Sequence, residues 1–303
     1  MTRRIIVSGA SGLIGSALTA SLRADGIEVT TLVRRTPQRP GEVRWAPGEG
    51  ALVPEILAGA EAVVALGGAS VGRMPWTPRY ERELVRSRLQ GTRTIAAAVR
   101  AFGEDAPAFV SASAVGYYGS APGKVLTESS PAGSTFLARL CVLWEDAAQR
   151  AGEDARVALL RTAPIIERNG VLRPLIQLTA LGVAGPIGRG TQMWPWIALA
   201  DEVRAIRHVI DNGIVGPVNL AGPTPASAND IGRALASEMH RPFWLPVPEL
   251  ALKAALSRTA AESLLTADAD VRPTVLAETG FSFTHPTAED AVRAALHEPV
   301  GSQ

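Results

Sequence analysis

A single cysteine, Cys141, stands among 303 residues, so no internal disulfide can form and a reducing compartment is the simplest setting. It sits in an apolar helical stretch with no evident base beside it, which reads as packing rather than chemistry. No apolar run approaches the roughly 18 residues that a membrane span needs. The opening Met1-Thr2-Arg3-Arg4 leads straight into a short apolar run and then glycines, without the apolar stretch and small-residue cleavage site of a secretory leader. Charge of either sign is not in excess. The 30 basic and 29 acidic residues leave a net charge of +1, so neither nucleic acid nor an anionic membrane surface has an electrostatic footprint. The four histidines, His208, His240, His285 and His297, are scattered without metal-ligand spacing, so no metal is expected. These absences together lead us to expect a soluble, cytoplasmic protein with a small-molecule substrate.

What is present suits a large core: 47% of residues are hydrophobic and 19% charged. Ile5-Ile6-Val7 reads as a buried strand, a short β-branched run bounded by glycine. Leu13–Ala24 has helical spacing, with Ile14, Leu18 and Leu22 four apart on one face. Further strands are expected at 29–33, 62–66, 108–112 and 157–161, and helices at 52–57, 77–101 and 135–150. That alternation argues for an α/β fold, a Rossmann-like doubly wound parallel sheet. After Thr162 the rhythm breaks into a proline- and glycine-punctuated stretch, with a short helix near Leu175. Helical pattern returns at 201–210, 229–239, 249–255 and 287–296. The expected division is a nucleotide-binding core over 1–164, with a smaller C-terminal cap and substrate region over 165–303, interleaved with the core.

Gly9-Ala10-Ser11-Gly12-Leu13-Ile14-Gly15 places glycines three apart between the first strand and the first helix. The first glycine permits a sharp turn, the second lets backbone approach a pyrophosphate, and the third lets helix and strand pack closely. The phosphate then meets free N–H groups at the helix N-terminus. Gly9, Ser11, Gly12, Leu13 and Ile14 are therefore candidate cofactor contacts. The second strand ends in Val33-Arg34-Arg35 with no carboxylate before Glu42. A carboxylate there would select NAD through its ribose hydroxyl. Arg34 and Arg35 instead favour the 2′-phosphate of NADP(H), the alternative being a solvated basic turn. Leu66-Gly67-Gly68 would let an adenosine or ribose lie on the backbone, unless it is a plain tight turn. Arg88 falls on the same helical face as Leu84, Gly91 and Ile95. A charge so placed needs an anionic partner, either a protein carboxylate or a ligand in the cleft.

Val110-Ser111-Ala112-Ser113-Ala114-Val115-Gly116-Tyr117-Tyr118-Gly119 ends a strand in serines and then a glycine-flanked tyrosine pair. With the glycine loop before it, this resembles the extended short-chain dehydrogenases/reductases. In those proteins a Ser or Thr here orients the substrate oxygen, and a Tyr-x-x-x-Lys pair on the next helix supplies acid/base chemistry. The pair is missing here: Leu137 and Cys141 occupy its two positions, and the helix contains no lysine. That departure is joined by Leu140-Cys141-Val142-Leu143-Trp144-Glu145, Leu160-Arg161-Thr162, Gly185-Pro186-Ile187-Gly188-Arg189-Gly190-Thr191-Gln192, Trp196-Ile197 and Glu278-Thr279-Gly280-Phe281-Ser282-Phe283. Together they resemble the epimerase-family proteins of the sugar-nucleotide-epimerase-like type, sometimes labelled cell-division inhibitors.

The resemblance covers nearly the whole chain and implies an NADP-binding Rossmann core with an undefined substrate. Carried over by matching positions, Arg34, Arg35, Leu66, Gly67, Glu83, Arg88 and Ile165 would line the cofactor. Glu83 rests on the resemblance alone, whereas Ile165 also follows a strand end where the nicotinamide should lie. The chain departs from the family at Ala267-Asp268-Ala269-Asp270-Val271, where a more basic stretch is usual. Tyr117 and Tyr118 are the nearby phenols and Ser113 a possible hydrogen-bond partner, giving three catalytic candidates, although both tyrosines could equally be structural. An unassisted phenol titrates near 10 and is a poor base at neutral pH. Arg189, Gln192, Trp194 and Trp196 could grip an anionic or sugar-like ligand, or pin the cap to the sheet. Two functions follow: an NADP(H)-dependent oxidoreductase or epimerase acting on a small carbonyl or hydroxyl compound, or a non-catalytic NADP(H)-binding regulator.

Overall fold

A computed structural model of the chain describes residues 3–168, 170, 173–247 and 257–297. Strand β1 (Arg4–Ser8) is followed by helix α1 (Leu13–Ala24), β2 (Glu28–Val33), β3 (Glu42–Arg44), β4 (Ala62–Ala65) and α2 (Pro78–Phe102). Next come β5 (Ala108–Ala114), β6 (Val125–Leu126), α3 (Phe136–Gln149), β7 (Val157–Thr162), β8 (Ile165–Ile166) and α4 (Arg173–Ala180). β9 (Ile197–Ala198), α5 (Leu199–Asp211), β10 (Gly216–Leu220) and α6 (Ala228–Glu238) continue the chain. The last elements are α7 (Arg258–Ala260, continued as a π turn), β11 (Asp270–Val271), α8 (Thr274–Glu278) and α9 (Ala288–His297).

Seven strands form one parallel sheet in the order β10-β7-β5-β4-β1-β2-β3. Ile5, Ile6 and Val7 are each 0% exposed, as a strand covered on both faces requires. One face packs α1 and α5 against Val7, Val64, Val110 and Leu160. The other packs α2 and α3 against Ile6, Val63, Phe109 and Leu159. The chain direction reverses between β1 and β4, so the ligand crevice of this Rossmann-like sheet opens at their C-terminal ends. A third apolar cluster joins Ile166, Trp196, Ile231, Leu235 and Val292 beside the sheet.

The expected helices and central strands are present within a few residues of their expected bounds, with two differences. The helix expected at 52–57 is only a 3-10 turn at Pro54–Leu57. Neither edge strand was expected: β3 is only three residues long, and in β10 Pro217 and Asn219 are poor strand formers, although an edge position tolerates the missing N–H of proline. The helix expected at 249–255 lies outside the described residues. Among the described residues no helix is long and apolar enough to cross a membrane.

Candidate functional site

The loop from Gly9 to Gly15 lies at the reversal point. Gly9 has φ +78°, and a Cβ there would come within 2.8 Å of the Gly67 nitrogen on the neighbouring strand end. A Cβ on Gly15 would overlap the Gly9 carbonyl oxygen, and one on Gly12 would come to 3.3 Å of it. The cradle is therefore closed to any side chain. Gly12 caps α1 with no side-chain hydrogen bond, leaving the first-turn N–H groups open to an anion. Ser11 and Gly12 are exposed, and Leu13 is 37% exposed. Gly15→Ala is expected to abolish nucleotide binding and lower Tm by several degrees, since the overlap is with backbone on both sides. A variant that bound NADPH as tightly as the parent would contradict this reading of the cradle.

At the end of β2 the two arginines part company. Arg35 is bound through both guanidinium nitrogens to Glu42, Nη1 to Oε2 at 2.7 Å and Nη2 to Oε1 at 2.6 Å. That hydrogen-bonded pairing, with the Gln38 and Arg39 amides, holds the Glu42 carboxyl down at about 2. Parallel pairing of β3 with β2 brings Glu42 beside Thr31 and so within reach. Arg34 is exposed and makes no hydrogen bond or ion pair among the described residues. The sequence suggests two equivalent cations; the structure leaves one free.

Arg88 reaches from α2 to the end of β4. Its Nη1 donates to the Ala69 and Leu84 carbonyls at 3.0 and 3.1 Å, and its guanidinium lies 5.0 Å from the Trp144 ring. No carboxylate meets it among the described residues, so the protein-carboxylate alternative is set aside. Burial pulls its pKa below the usual arginine value. A Cβ on Gly68 would come to 3.3 Å of the Arg88 side chain, which fixes the turn after β4. Glu83, one turn earlier, is paired with Arg86 at 2.9 Å. Ile165, half-buried on β8, stands past the end of β7.

Beyond β5 the polar groups form a buried network that sequence reading did not assemble. Arg161 on β7 binds Glu145 on α3 through Nε at 2.9 Å and Nη2 at 2.9 Å, with side chains 4% and 8% exposed. Ser113 Oγ donates to Glu145 Oε1 at 2.6 Å. Arg161 Nη1 donates to the Tyr118 hydroxyl at 2.9 Å and to the Glu128 carbonyl at 3.1 Å, and Tyr118 donates to Asn219 Oδ1 at 2.6 Å. Burial raises the Tyr118 pKa, against the opposing pull of Arg161. Tyr118 is 2% exposed with its hydroxyl committed, which removes it as an acid/base candidate and gives it the structural alternative. Tyr117 is half-buried, its ring 3.6 Å from the Arg161 guanidinium, and its hydroxyl has no hydrogen-bond partner among the described residues. Leu137 and Cys141 are 8% and 2% exposed, and burial pushes the Cys141 thiol up to about 12. Neither can do the work of a tyrosine or lysine.

The cap residues divide similarly. Gln192 is 2% exposed and donates to the Ile187 and Leu265 carbonyls; Trp194 Nε1 donates to the same Leu265 carbonyl at 3.0 Å. Trp196, also 2% exposed, donates to the Thr224 carbonyl at 3.0 Å. These three pin the cap. Arg189 is exposed, held at 3.2 Å by Asp268, which also accepts from the Met193 amide. The acidic stretch around Asp268 thus ties the C-terminal segment to the crevice rim. Among the described residues no group of three or more His, Cys, Asp or Glu could hold a metal ion.

Comparison with known proteins follows the same lines. Residues 5–221 match the NAD dependent epimerase/dehydratase family, and residues 247–295 a domain of unknown function, DUF1731. An epimerase family protein of Mycobacterium bovis is 38% identical over 97% of this chain and 98% of its own length. Epimerase family protein SDR39U1 of Homo sapiens is 31% identical over 98% of this chain and 99% of its own. A crystal structure of the human SDR39U1 protein (isoform2) with NADPH superposes with a TM-score of 0.87 at 27% identity, covering 97% of this chain and 99% of that one. The chain therefore belongs to the NAD-dependent epimerase/dehydratase family.

Proposed function

We propose that the protein is an NADP(H)-dependent oxidoreductase or epimerase acting on a small carbonyl or hydroxyl compound. The observation that carries this reading is a side-chain-free glycine cradle at the sheet reversal, with two guanidinium groups, Arg34 and Arg88, that no carboxylate among the described residues neutralises. The NADPH in the human relative's structure supports the choice of coenzyme. The amides around Ser11, Gly12, Leu13 and Ile14 would hold the pyrophosphate with Arg88, and Arg34 would take the 2′-phosphate. Leu66, Gly67 and Gly68 would back the adenosine ribose, with Glu83 near them and Ile165 at the nicotinamide end. The bound coenzyme would supply or accept a hydride. Ser113 is 4% exposed and its one proton goes to Glu145, so, like Tyr118, it would support the site from beneath, and Tyr117 is the phenol left to face the substrate oxygen. Arg189 is the one exposed cap cation of the four residues considered for substrate.

The test is a fluorescence titration with NADPH and NADH. Losing a charged hydrogen bond costs about 1–3 kcal/mol, so Arg34→Ala should weaken NADPH by roughly 10- to 100-fold and NADH hardly at all. Arg35→Ala should do less, because its partner is Glu42. Equal affinity of the parent for the two nucleotides would sink the coenzyme choice. Cys141 and Leu137 in place of an acid/base pair favour a second reading, a non-catalytic NADP(H)-binding regulator. Turnover that vanishes in Tyr117→Phe would defeat that second reading.

A further inference from the structure

Glu202, in the first turn of α5, is 0% exposed. Its Oε1 accepts from Thr162 Oγ1 at 2.8 Å, while its Oε2 has no hydrogen-bond partner among the described residues. A carboxylate held this way lacks both a cation and the donors that make burial tolerable.

Among the described residues no neighbouring charge meets it. On α5 itself, Asp201 binds His285 and Arg204, Arg207 binds Asp25, His208 bonds Thr279, and Asp211 binds Arg3. The segments packed on α5 are α1, β7, β8, β9 and residues 279–285, whose one titratable side chain, His285, is bound to Asp201. On α1 the only charged side chain is the exposed Arg23, and on β7 it is Arg161, whose partner Glu145 lies on the α3 side of the sheet. β8 and β9 carry none. Burial accordingly pushes the Glu202 carboxyl up to about 8, opposed only by the Thr162 hydrogen bond. Near neutral pH it is an acid still holding its proton.

Its one side-chain hydrogen bond among the described residues leads to the crevice end of the sheet. Thr162 is the last residue of β7, level with Ala114 on β5 and Leu220 on β10. That is the sheet end where the glycine loop lies, and Thr162 is only partly buried there. Three residues on is Ile165, proposed above for the nicotinamide end.

We propose that Glu202 makes the choice between oxidised and reduced NADP depend on pH, releasing its proton when the cationic nicotinamide ring of NADP+ binds and keeping it beneath the neutral ring of NADPH. The inference rests on the NADP(H) reading above. Ring charge is the difference between the two nucleotides that a buried, unneutralised carboxyl feels most, because field strength is high where water is excluded. The released proton goes to bulk solvent, and no covalent bond to carbon changes.

The experiment measures dissociation constants of NADP+ and NADPH from about pH 6 to about pH 9, where a single linked proton gives up to about a tenfold change per pH unit. Both nucleotides carry the 2′-phosphate, so the ratio of their constants cancels its titration. In the parent protein the ratio should move toward NADP+ as pH rises and level off near the Glu202 pKa. Glu202→Gln should make the ratio flat. Thr162→Val keeps the acid but removes the hydrogen bond that lowers its pKa, so the levelling point should move to higher pH. Calorimetry in buffers of different ionisation enthalpy should detect protons released with NADP+ and none with NADPH. Tight binding of both nucleotides with a pH-independent ratio would overturn the proposal and leave the cofactor assignment standing. A slope that survives in Glu202→Gln would overturn it too, and failure of either nucleotide to bind would overturn both.

Discussion

Glu145→Gln is expected to destabilise the protein by about 3–5 kcal/mol, because it strips the charge from one half of a buried, hydrogen-bonded ion pair and leaves the other half unneutralised. The Arg161 guanidinium is 4% exposed and has no other carboxylate partner among the described residues. Burial works against its charge, and the Glu145 hydrogen bonds more than restore it, so its pKa is raised. For a chain of this length the loss corresponds to a fall in Tm of roughly 5–10 °C, measurable by calorimetry. Arg161→Met should lose a comparable amount, since it leaves Glu145 buried with only the Ser113 hydroxyl. The double variant Glu145→Met/Arg161→Met should recover part of the loss, as apolar replacements of buried pairs often do. Recovery stays partial because Ser113 and the Glu128 carbonyl lose their partners. Single variants within about 1 kcal/mol of the parent would show that the pair is hydrated and not a structural tie, since exposed pairs contribute about that little.

The nucleotide end of the fold was legible because its signals are local. The β-branched run, the glycines three apart and the helical spacing after them occupy adjacent residues, and each restricts the backbone in a known way. Arg34 stands out in sequence for the same reason, as the residue at a strand end where a carboxylate would otherwise stand, and its contact with a 2′-phosphate is a proposal. The pairing of Arg35 is not legible there, because Glu42 meets it only once β3 lies parallel beside β2. The Arg161–Glu145 pair joins a strand to a helix 16 residues away, and only half of its signal is local: Arg161 interrupts an apolar strand, whereas Glu145 shares its helix with Arg139 and Asp146, so nothing in the sequence singles it out as the partner. The cap tryptophans and Gln192 allowed either role in sequence, and only their buried donors decide. Glu202 gave no signal, because an acid in the first turn of a helix ordinarily complements the dipole from the solvent side.

Glu202→Gln is expected to stabilise the protein, and to do so only above the pH at which an exposed carboxyl ionises. The folded carboxyl titrates at about 8, against 4.5 when exposed. Below pH 4.5 both folded and unfolded chains hold the proton, so the full stability is present there. As pH rises past that point the unfolded chain ionises and the folded one does not, so stability drains at up to about 1.4 kcal/mol per pH unit until the folded group also ionises. Across the interval the loss amounts to roughly 4–5 kcal/mol, an order-of-magnitude figure for a group so deeply buried. Glutamine keeps an acceptor for Thr162 and does not ionise. Urea melts of parent and variant should therefore agree within about 1 kcal/mol near pH 5, then separate in favour of the variant toward pH 9. Parallel pH curves would show that Glu202 is ionised in the folded state, with a partner the geometry does not provide. A carboxyl buried at this expense, hydrogen-bonded to the last residue of β7, is a candidate for a role other than stability. The proton-linked discrimination of NADP+ from NADPH is a use that needs such a group buried, unpaired and within reach of the ring.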